Sequence, residues 1–311
     1  MACKLGNPFE NTTFRPMESN MTRFQPQGWK SYSLIDSGNG EKLERFGNVI
    51  LIRPEVTAIW PKSLSAKEWK SLAHGRFEQT DSRSGKWKKF KEIPNNWSIA
   101  YDVRKSTLRF NLKLTSFKHV GIFPEQAANW QFIYDQVKGK TGAEGGAKKV
   151  LNLFAYTGGA SLAANSAGAN VTHVDSIKQV VNWTRENMES SNLNNIRWVV
   201  EDALTFVQRE AKRGNFYDGI IMDPPSFGNT PGKGKGKWKL EDQLNDLLKS
   251  TSQVLSKEGF VVMNTYSGLA NSTLETLARH YFNPAHISCG DLALHSESDQ
   301  VLATGSCLRA W

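Results

Sequence analysis

The sequence predicts an α/β protein, a doubly wound, seven-stranded, mostly parallel sheet preceded by a small β-rich domain. Three observations carry this expectation. From residue 148 onward, short apolar runs alternate with amphipathic segments of helical period. The apolar run Tyr217–Met222 stops at Asp223-Pro224-Pro225, and neither proline can donate to a ladder, so a buried parallel strand must end there. Before residue 118 the pattern shortens to strand-sized segments divided by turn signals such as Ser37-Gly38-Asn39-Gly40.

Taken in order, residues 29–36, 49–53, 58–60 and 108–114 read as short strands, within a domain of residues 1–117. The first 25 or so residues show no periodicity and are expected to be poorly ordered. Residues 118–147 form a bridge, with a helix over Ala127–Val137 and then a Gly/Lys linker. The domain of residues 148–311 opens with a strand at 149–155. Gly158-Gly159 then begins a helix that Gly168 ends. Further strands fall at 170–174, 197–200, 217–222 and 259–264, with helices at 177–190, 203–212, 241–255 and 272–282. The last two strands, 285–294 and 301–310, have no helix between them and should pair as an antiparallel hairpin at the sheet edge.

Composition narrows the function classes. The 311 residues have room for two domains, and no stretch approaches the ~18 uninterrupted apolar residues of a membrane span. The chain reads as cytoplasmic. Cys3, Cys289 and Cys307 are unclustered, which argues against a disulfide framework and a zinc site, and the six histidines show no ligand spacing. Charge is uneven: the first 117 residues carry 20 Lys/Arg against 11 Asp/Glu, whereas the rest carry 19 of each. All of the net charge of +9 therefore lies in the first part, as expected for a region that holds an anionic partner.

Four stations follow successive strands of the second domain, at the sheet edge where open α/β folds bind ligands. The first is the glycine turn Thr157-Gly158-Gly159. A dinucleotide fold would show Gly-x-Gly-x-x-Gly here, and this chain does not, so a cofactor without a pyrophosphate fits better. Asp175 follows 16 positions after Gly159, where a carboxylate can accept two ribose hydroxyls. Asp202 can accept an exocyclic amine, and Asp175 and Asp202 could equally cap the helices they precede. Asp223-Pro224-Pro225-Ser226-Phe227 adds a carboxylate, a rigid turn and an aromatic.

Residues 118–311 resemble a class I S-adenosylmethionine-dependent methyltransferase. More narrowly, the chain is similar to the bacterial 23S ribosomal RNA cytosine-C5 and guanine methyltransferase-like family. The motifs that carry the likeness are Gly121-Ile122-Phe123-Pro124-Glu125-Gln126, Asn152-Leu153-Phe154-Ala155-Tyr156-Thr157-Gly158, His173-Val174-Asp175 and Asp223-Pro224-Pro225-Ser226-Phe227-Gly228. Leu34-Ile35-Asp36-Ser37-Gly38 and Leu43-Glu44-Arg45-Phe46-Gly47 extend it to about residue 29. The resemblance implies that Phe123 and Gln126 flank the cofactor, with Asn152, Phe154 and Tyr156 beside them. It also implies that Thr157 and Gly158 line the methionine part, Asp175 the ribose and Asp202 the adenine, while Asp223 faces cofactor and acceptor.

Two departures shape the chemistry. Relatives that methylate C5 of cytosine use a cysteine just after the fifth strand, but here Met263-Asn264-Thr265-Tyr266-Ser267-Gly268 has none. Nor is there a separate small β-barrel module for RNA in front, which leaves the gripping to the basic β-rich region. Direct in-line transfer to a base nitrogen of RNA, ribosomal RNA above all, is then the expected reaction. Asp223 or the Pro224 carbonyl would accept from the amine, and Phe227 or Tyr266 would stack on the base. Lys233, Lys235, Lys237 and Lys239, interleaved with glycines, are expected to form a mobile loop that neutralises phosphates, with Trp238 stacking on an unpaired base. The basic and aromatic segment at 83–91 has the same flavour. Competing readings are a methyltransferase for a protein or small molecule, and a non-catalytic RNA-binding protein with a relic cofactor fold. The sequence does not set the oligomeric state, so a homo-oligomer stays open.

Overall fold

The computed structural model describes residues 22–81, 84–229 and 237–311 of the chain. Its N-terminal part begins with the two-residue strand β1 (Arg23–Phe24) and continues with β2 (Tyr32–Gly38), β3 (Glu41–Phe46) and β4 (Val49–Pro54). Helix α1 (Ala66–Leu72) then leads to β5 (Gly75–Gln79) and β6 (Gly85–Lys89). Strands β2 to β6 form one sheet in sequence order, antiparallel except for the parallel β4–β5 pair that α1 connects. Asn39 and Gly40, with φ of 50° and 74°, make the tight β2–β3 turn that the sequence announced.

Residues 58–60, expected as a strand, are irregular. The Ala58 and Trp60 carbonyls accept from Gly40 N and Asn39 N at the tip of that turn, which leaves them no ladder to join. Helix α1 escaped the sequence reading because it buries a single side chain, Trp69, and so shows no apolar stripe. Its start is fixed by a capping box, Glu68 N to Ser65 Oγ at 3.3 Å and Ser65 N to Glu68 Oε2 at 2.7 Å. A second hairpin, β7 (Trp97–Val103) with β8 (Ser106–Leu112), closes this part.

A short 3₁₀ turn at Pro124–Gln126 leads into α2 (Ala127–Val137), the helix expected over those residues. Then come β9 (Lys149–Leu153), α3 (Gly159–Ser166), β10 (Asn170–Asp175), α4 (Lys178–Ser190), β11 (Ile196–Val200), α5 (Ala203–Arg213) and β12 (Tyr217–Met222). A small hairpin of β13 (Phe227–Asn229) and β14 (Lys237–Lys239) precedes α6 (Leu240–Ser252). Finally come β15 (Leu255–Thr265), α7 (Asn271–Tyr281), β16 (Ile287–His295) and β17 (Val301–Ala310).

The large sheet runs β1-β16-β17-β15-β12-β9-β10-β11. Its seven expected strands are present, parallel from β15 to β11 and antiparallel at β16 and β17. An eighth strand corrects the expected count: β1 pairs in parallel with β16 and covers the hairpin's outer edge. Chain order reverses between β9 and β12, so the crevice for a ligand lies above their carboxyl ends.

The apolar interior crosses residue 117 without a break. One cluster joins Tyr32, Phe46, Tyr101 and Phe110 of the β-rich part to Trp130, Ile133, Val150 and Leu162. Trp130 is its hub, stacked on Phe110 at 5.0 Å between ring centres and edge-on to Tyr101 at 5.6 Å. Burying side chains of this size stabilises by about 2–3 kcal/mol each. Backbone bonds tie the same seam: Asn111 N donates to Asn187 Oδ1 at 2.8 Å, and Arg109 N to Ser191 Oγ at 2.8 Å, so α4 finishes the free edge of β8.

Candidate active site

The turn after β9 supplies the first wall. Phe154 and Tyr156 both have positive φ, 55° and 49°, a conformation that side chains resist and that the surroundings must hold. Here the holding groups are visible. Tyr156 N donates to Asp175 Oδ2 at 3.0 Å, Thr184 Oγ1 to the Tyr156 carbonyl at 2.8 Å, and Asn187 Nδ2 to the Thr157 carbonyl at 3.0 Å. Gly158 follows at φ 87°, and a Cβ there would lie 2.0 Å from Thr184 Cγ2, so only glycine lets α4 approach this closely.

Above the switch point this turn opens into a cavity of about 640 Å³. Asp175, Ile177 and Asp202 lie at one end, Asp223, Pro225 and Phe227 at the other. Aromatic rings form its sides. Phe123 packs on His119, Tyr156 and Tyr266 with centres 4.8, 5.3 and 5.7 Å apart, while Trp238 packs on Phe154 at 5.0 Å. A narrow recess continues inward from Phe123, Phe154, Tyr156 and Asp223 to Gln126, Asn152, Thr157 and Gly158. Every residue expected beside the cofactor therefore lines one of two contiguous spaces. Of the three expected at the acceptor, Asp223 and Phe227 line the cavity, whereas Pro224 is buried beneath it.

The acids keep bonding capacity. Asp175 Oδ1 accepts from Ile177 N at 2.9 Å and Oδ2 from Tyr156 N, which leaves a lone pair on each oxygen. Burial pushes its carboxyl above the usual range, against the pull of those backbone donors. Asp202 caps α5 through Oδ1, which accepts from Thr205 N and Oγ1 at 2.8 Å each, so capping and lining the cavity coexist. Asp223 is pushed up to about 8, first by desolvation and then by Glu125. His119 is driven down to about 3, mainly by burial and then by Arg53 and Lys118, so its ring is a neutral wall.

Several expectations change here. Lys237–Lys239 is not a mobile loop but a strand paired with Phe227–Asn229. Trp238 is buried, and its Nε1 donates to the Pro225 carbonyl at 2.6 Å, so it forms the cavity wall instead of reaching for an unpaired base. Lys239 faces Asp242 at 3.7 Å. Lys233 and Lys235 lie outside the described residues. At 83–91, Trp87 is held by a 2.8 Å bond from Nε1 to the Thr115 carbonyl, while Lys86, Lys88, Lys89 and Lys91 are exposed among the described residues there. His119 and Asn187 were missed because both act through tertiary neighbours that no spacing reveals. Among the described residues no helix is long and apolar enough to cross a membrane.

The family model of S-adenosylmethionine-dependent methyltransferases matches residues 67–277. The chain belongs to that family. A crystal structure of a methyltransferase of this kind from Agrobacterium tumefaciens is 33% identical and superposes with a TM-score of 0.82 over 93% of both chains. Among curated methyltransferases, ribosomal RNA large subunit methyltransferase K/L of Shewanella frigidimarina is 25% identical over 75% of this chain. Ribosomal RNA large subunit methyltransferase I of Photobacterium profundum is 28% identical over 55% of it. The match spans only 30% and 41% of those two relatives' own lengths. The family's cofactor fits what the chain offers: two acids with free lone pairs at one end of the cavity, and room that extends to Asp223 at the other.

Proposed function

We propose that this methyltransferase methylates a base nitrogen in RNA, most simply ribosomal RNA, by direct in-line transfer. One observation carries the reading. The cavity joins two acids suited to a nucleoside, Asp175 and Asp202, to a carboxylate between aromatic walls, Asp223 with Phe227 and Tyr266, in a single continuous space. S-adenosylmethionine, when bound, supplies an electrophilic methyl group on sulfur.

The chain's own residues do the rest. Asp175 would accept the ribose hydroxyls through its spare lone pairs, and Asp202 the adenine amine, with Gln126 and the Thr157–Gly158 turn around the methionine part. Asp223 would orient the acceptor amine, whose plane Phe227 or Tyr266 stacks upon. Neither Cys289 nor Cys307 lines the cavity, and burial pushes their thiols up to about 12 and about 11, which is wrong for a nucleophile at neutral pH. This supports transfer without a covalent intermediate. The basic first part of the chain would hold the RNA phosphates. The names of the curated relatives support the RNA acceptor.

Calorimetry with S-adenosylmethionine tests the cofactor half. Asp175→Ala should raise Kd at least tenfold, about 1.4 kcal/mol. Equal affinity in wild type and variant would remove Asp175 from the site.

A further inference from the structure

We infer that Glu125 is a positioning and proton-accepting residue for the transfer, reached from the acceptor through the hydroxyl of Tyr266. The inference deepens the proposed transfer to a nitrogen and rests on it. Glu125 sits on the 3₁₀ turn Pro124–Gln126 and is buried. The Tyr266 hydroxyl donates to its Oε1 at 3.3 Å, while Oε2 is enclosed with no hydrogen-bond partner among the described residues. A buried carboxyl oxygen left unpaired costs on the order of 1–3 kcal/mol, so its retention calls for a reason.

The surroundings tie this carboxyl to the cavity. Tyr266 lines the acceptor end, and its oxygen also accepts from Gln126 Nε2 at 2.9 Å. Asn129 Nδ2 donates to Gln126 Oε1 at 3.0 Å and to Asn264 Oδ1 at 2.9 Å, and Arg309 Nε donates to Asn129 Oδ1 at 2.8 Å. The Tyr266 hydroxyl is thus clamped between a fixed amide and a fixed carboxyl. Charged and titratable groups also face Glu125 from the β-rich part, namely Lys42, Glu44 and Arg53 with Tyr32, and from the site itself, namely Asp223 and Tyr266. Burial raises the Glu125 carboxyl, which strengthens it as a proton acceptor.

The step balances. The acceptor nitrogen forms its bond to the methyl carbon as the carbon–sulfur pair returns to sulfur, and the nitrogen is left with one proton too many. That proton passes to the Tyr266 oxygen as the Tyr266 hydroxyl proton passes to Glu125 Oε1. Solvent reclaims it when the cavity empties.

The test compares wild type, Glu125→Gln, Tyr266→Phe and the double variant, with labelled cofactor and unmodified large-subunit ribosomal RNA transcript. At saturation both single variants should lose at least tenfold in kcat, and the double variant should lose no more than the worse single, since they break one path. Calorimetry should show the cofactor Kd unchanged within about threefold. A second readout needs no turnover. The raised carboxyl stabilises the fold at low pH, and that contribution declines as pH rises above its ordinary value of 4.5, so the Glu125→Gln variant should show a flatter fall of stability with pH. The inference is overturned if Glu125→Gln keeps a saturating kcat within twofold. It is overturned equally if the two singles multiply in the double, or if the stability difference does not vary with pH. A wild type that transfers no methyl to the transcript while still binding cofactor sinks the nitrogen-acceptor reading itself, and this inference with it.

Discussion

Asp223 concentrates the electrostatics of the site in one carboxyl. It is half-buried at the floor of the cavity, and desolvation reinforced by Glu125 pushes it up to about 8. A proton held more tightly in the folded than in the unfolded chain stabilises the fold at low pH, and this contribution disappears as pH rises through about 8. Cofactor binding should run the other way, because a sulfonium is attracted by the ionised acid. Affinity for S-adenosylmethionine should rise severalfold between about pH 7 and 9 in the wild type and stay level in Asp223→Asn, measured by calorimetry across that range. A wild-type affinity independent of pH would place the sulfonium away from Asp223. Asp175 and Asp202 were legible for the same reason as Asp223: each ends a strand, and the end of a strand in this fold is the edge of the ligand crevice. Glu125 lies before β9 and outside the strand–helix alternation, where no such rule operates, and only the folded chain shows its oxygen sealed beside Tyr266.

Most strands of the large sheet were readable to within a few residues, although β1 was not. Ala127–Val137, Tyr217–Met222 and Val301–Ala310 fall where the sequence put them, and Tyr217–Met222 is buried along its whole length. The β-rich part was less legible. Strands β3 and β6 carry Lys, Arg or Glu through most of their length and β5 at two of its five positions, and the β4–β5 pairing joins segments separated by α1, so alternation alone does not mark them. The hairpin β13–β14 was hidden by the glycine-lysine run beside it. Its anchor is Trp238, tied to Pro225 and packed on Phe154. Helix α4 has the widest role. Asn187, fully buried, accepts from β8 through Asn111 N and donates to the Thr157 carbonyl, so one side chain joins the β-rich part to the cofactor turn. Asn187→Ala would strand two buried backbone groups. We expect a loss of roughly 2–4 kcal/mol in urea unfolding together with weaker cofactor binding. A variant that loses stability but binds cofactor like the wild type would mean that the Thr157 turn holds its shape unaided.

At the scale of the whole molecule, a basic first part and an electrically neutral second part share one apolar interior. The two parts are therefore continuous through their interior, and the cavity is lined by the second part together with His119 and Phe123 of the connecting segment. If the first part holds phosphates, RNA affinity should fall steeply with salt. Six contacts would mean a loss on the order of a thousandfold between 50 and 200 mM. A filter-binding series that stays flat over that interval would favour a protein or small-molecule acceptor. The central claim is more specific: methyl transfer to a nitrogen, without a covalent partner. It is tested most directly by incubating the chain with labelled S-adenosylmethionine and unmodified large-subunit ribosomal RNA, then identifying the modified nucleoside by mass spectrometry. A single N-methylated nucleoside, lost in Asp223→Ala, is expected; a C5-methylated cytidine, or label found only in protein, would rule out transfer to an RNA nitrogen.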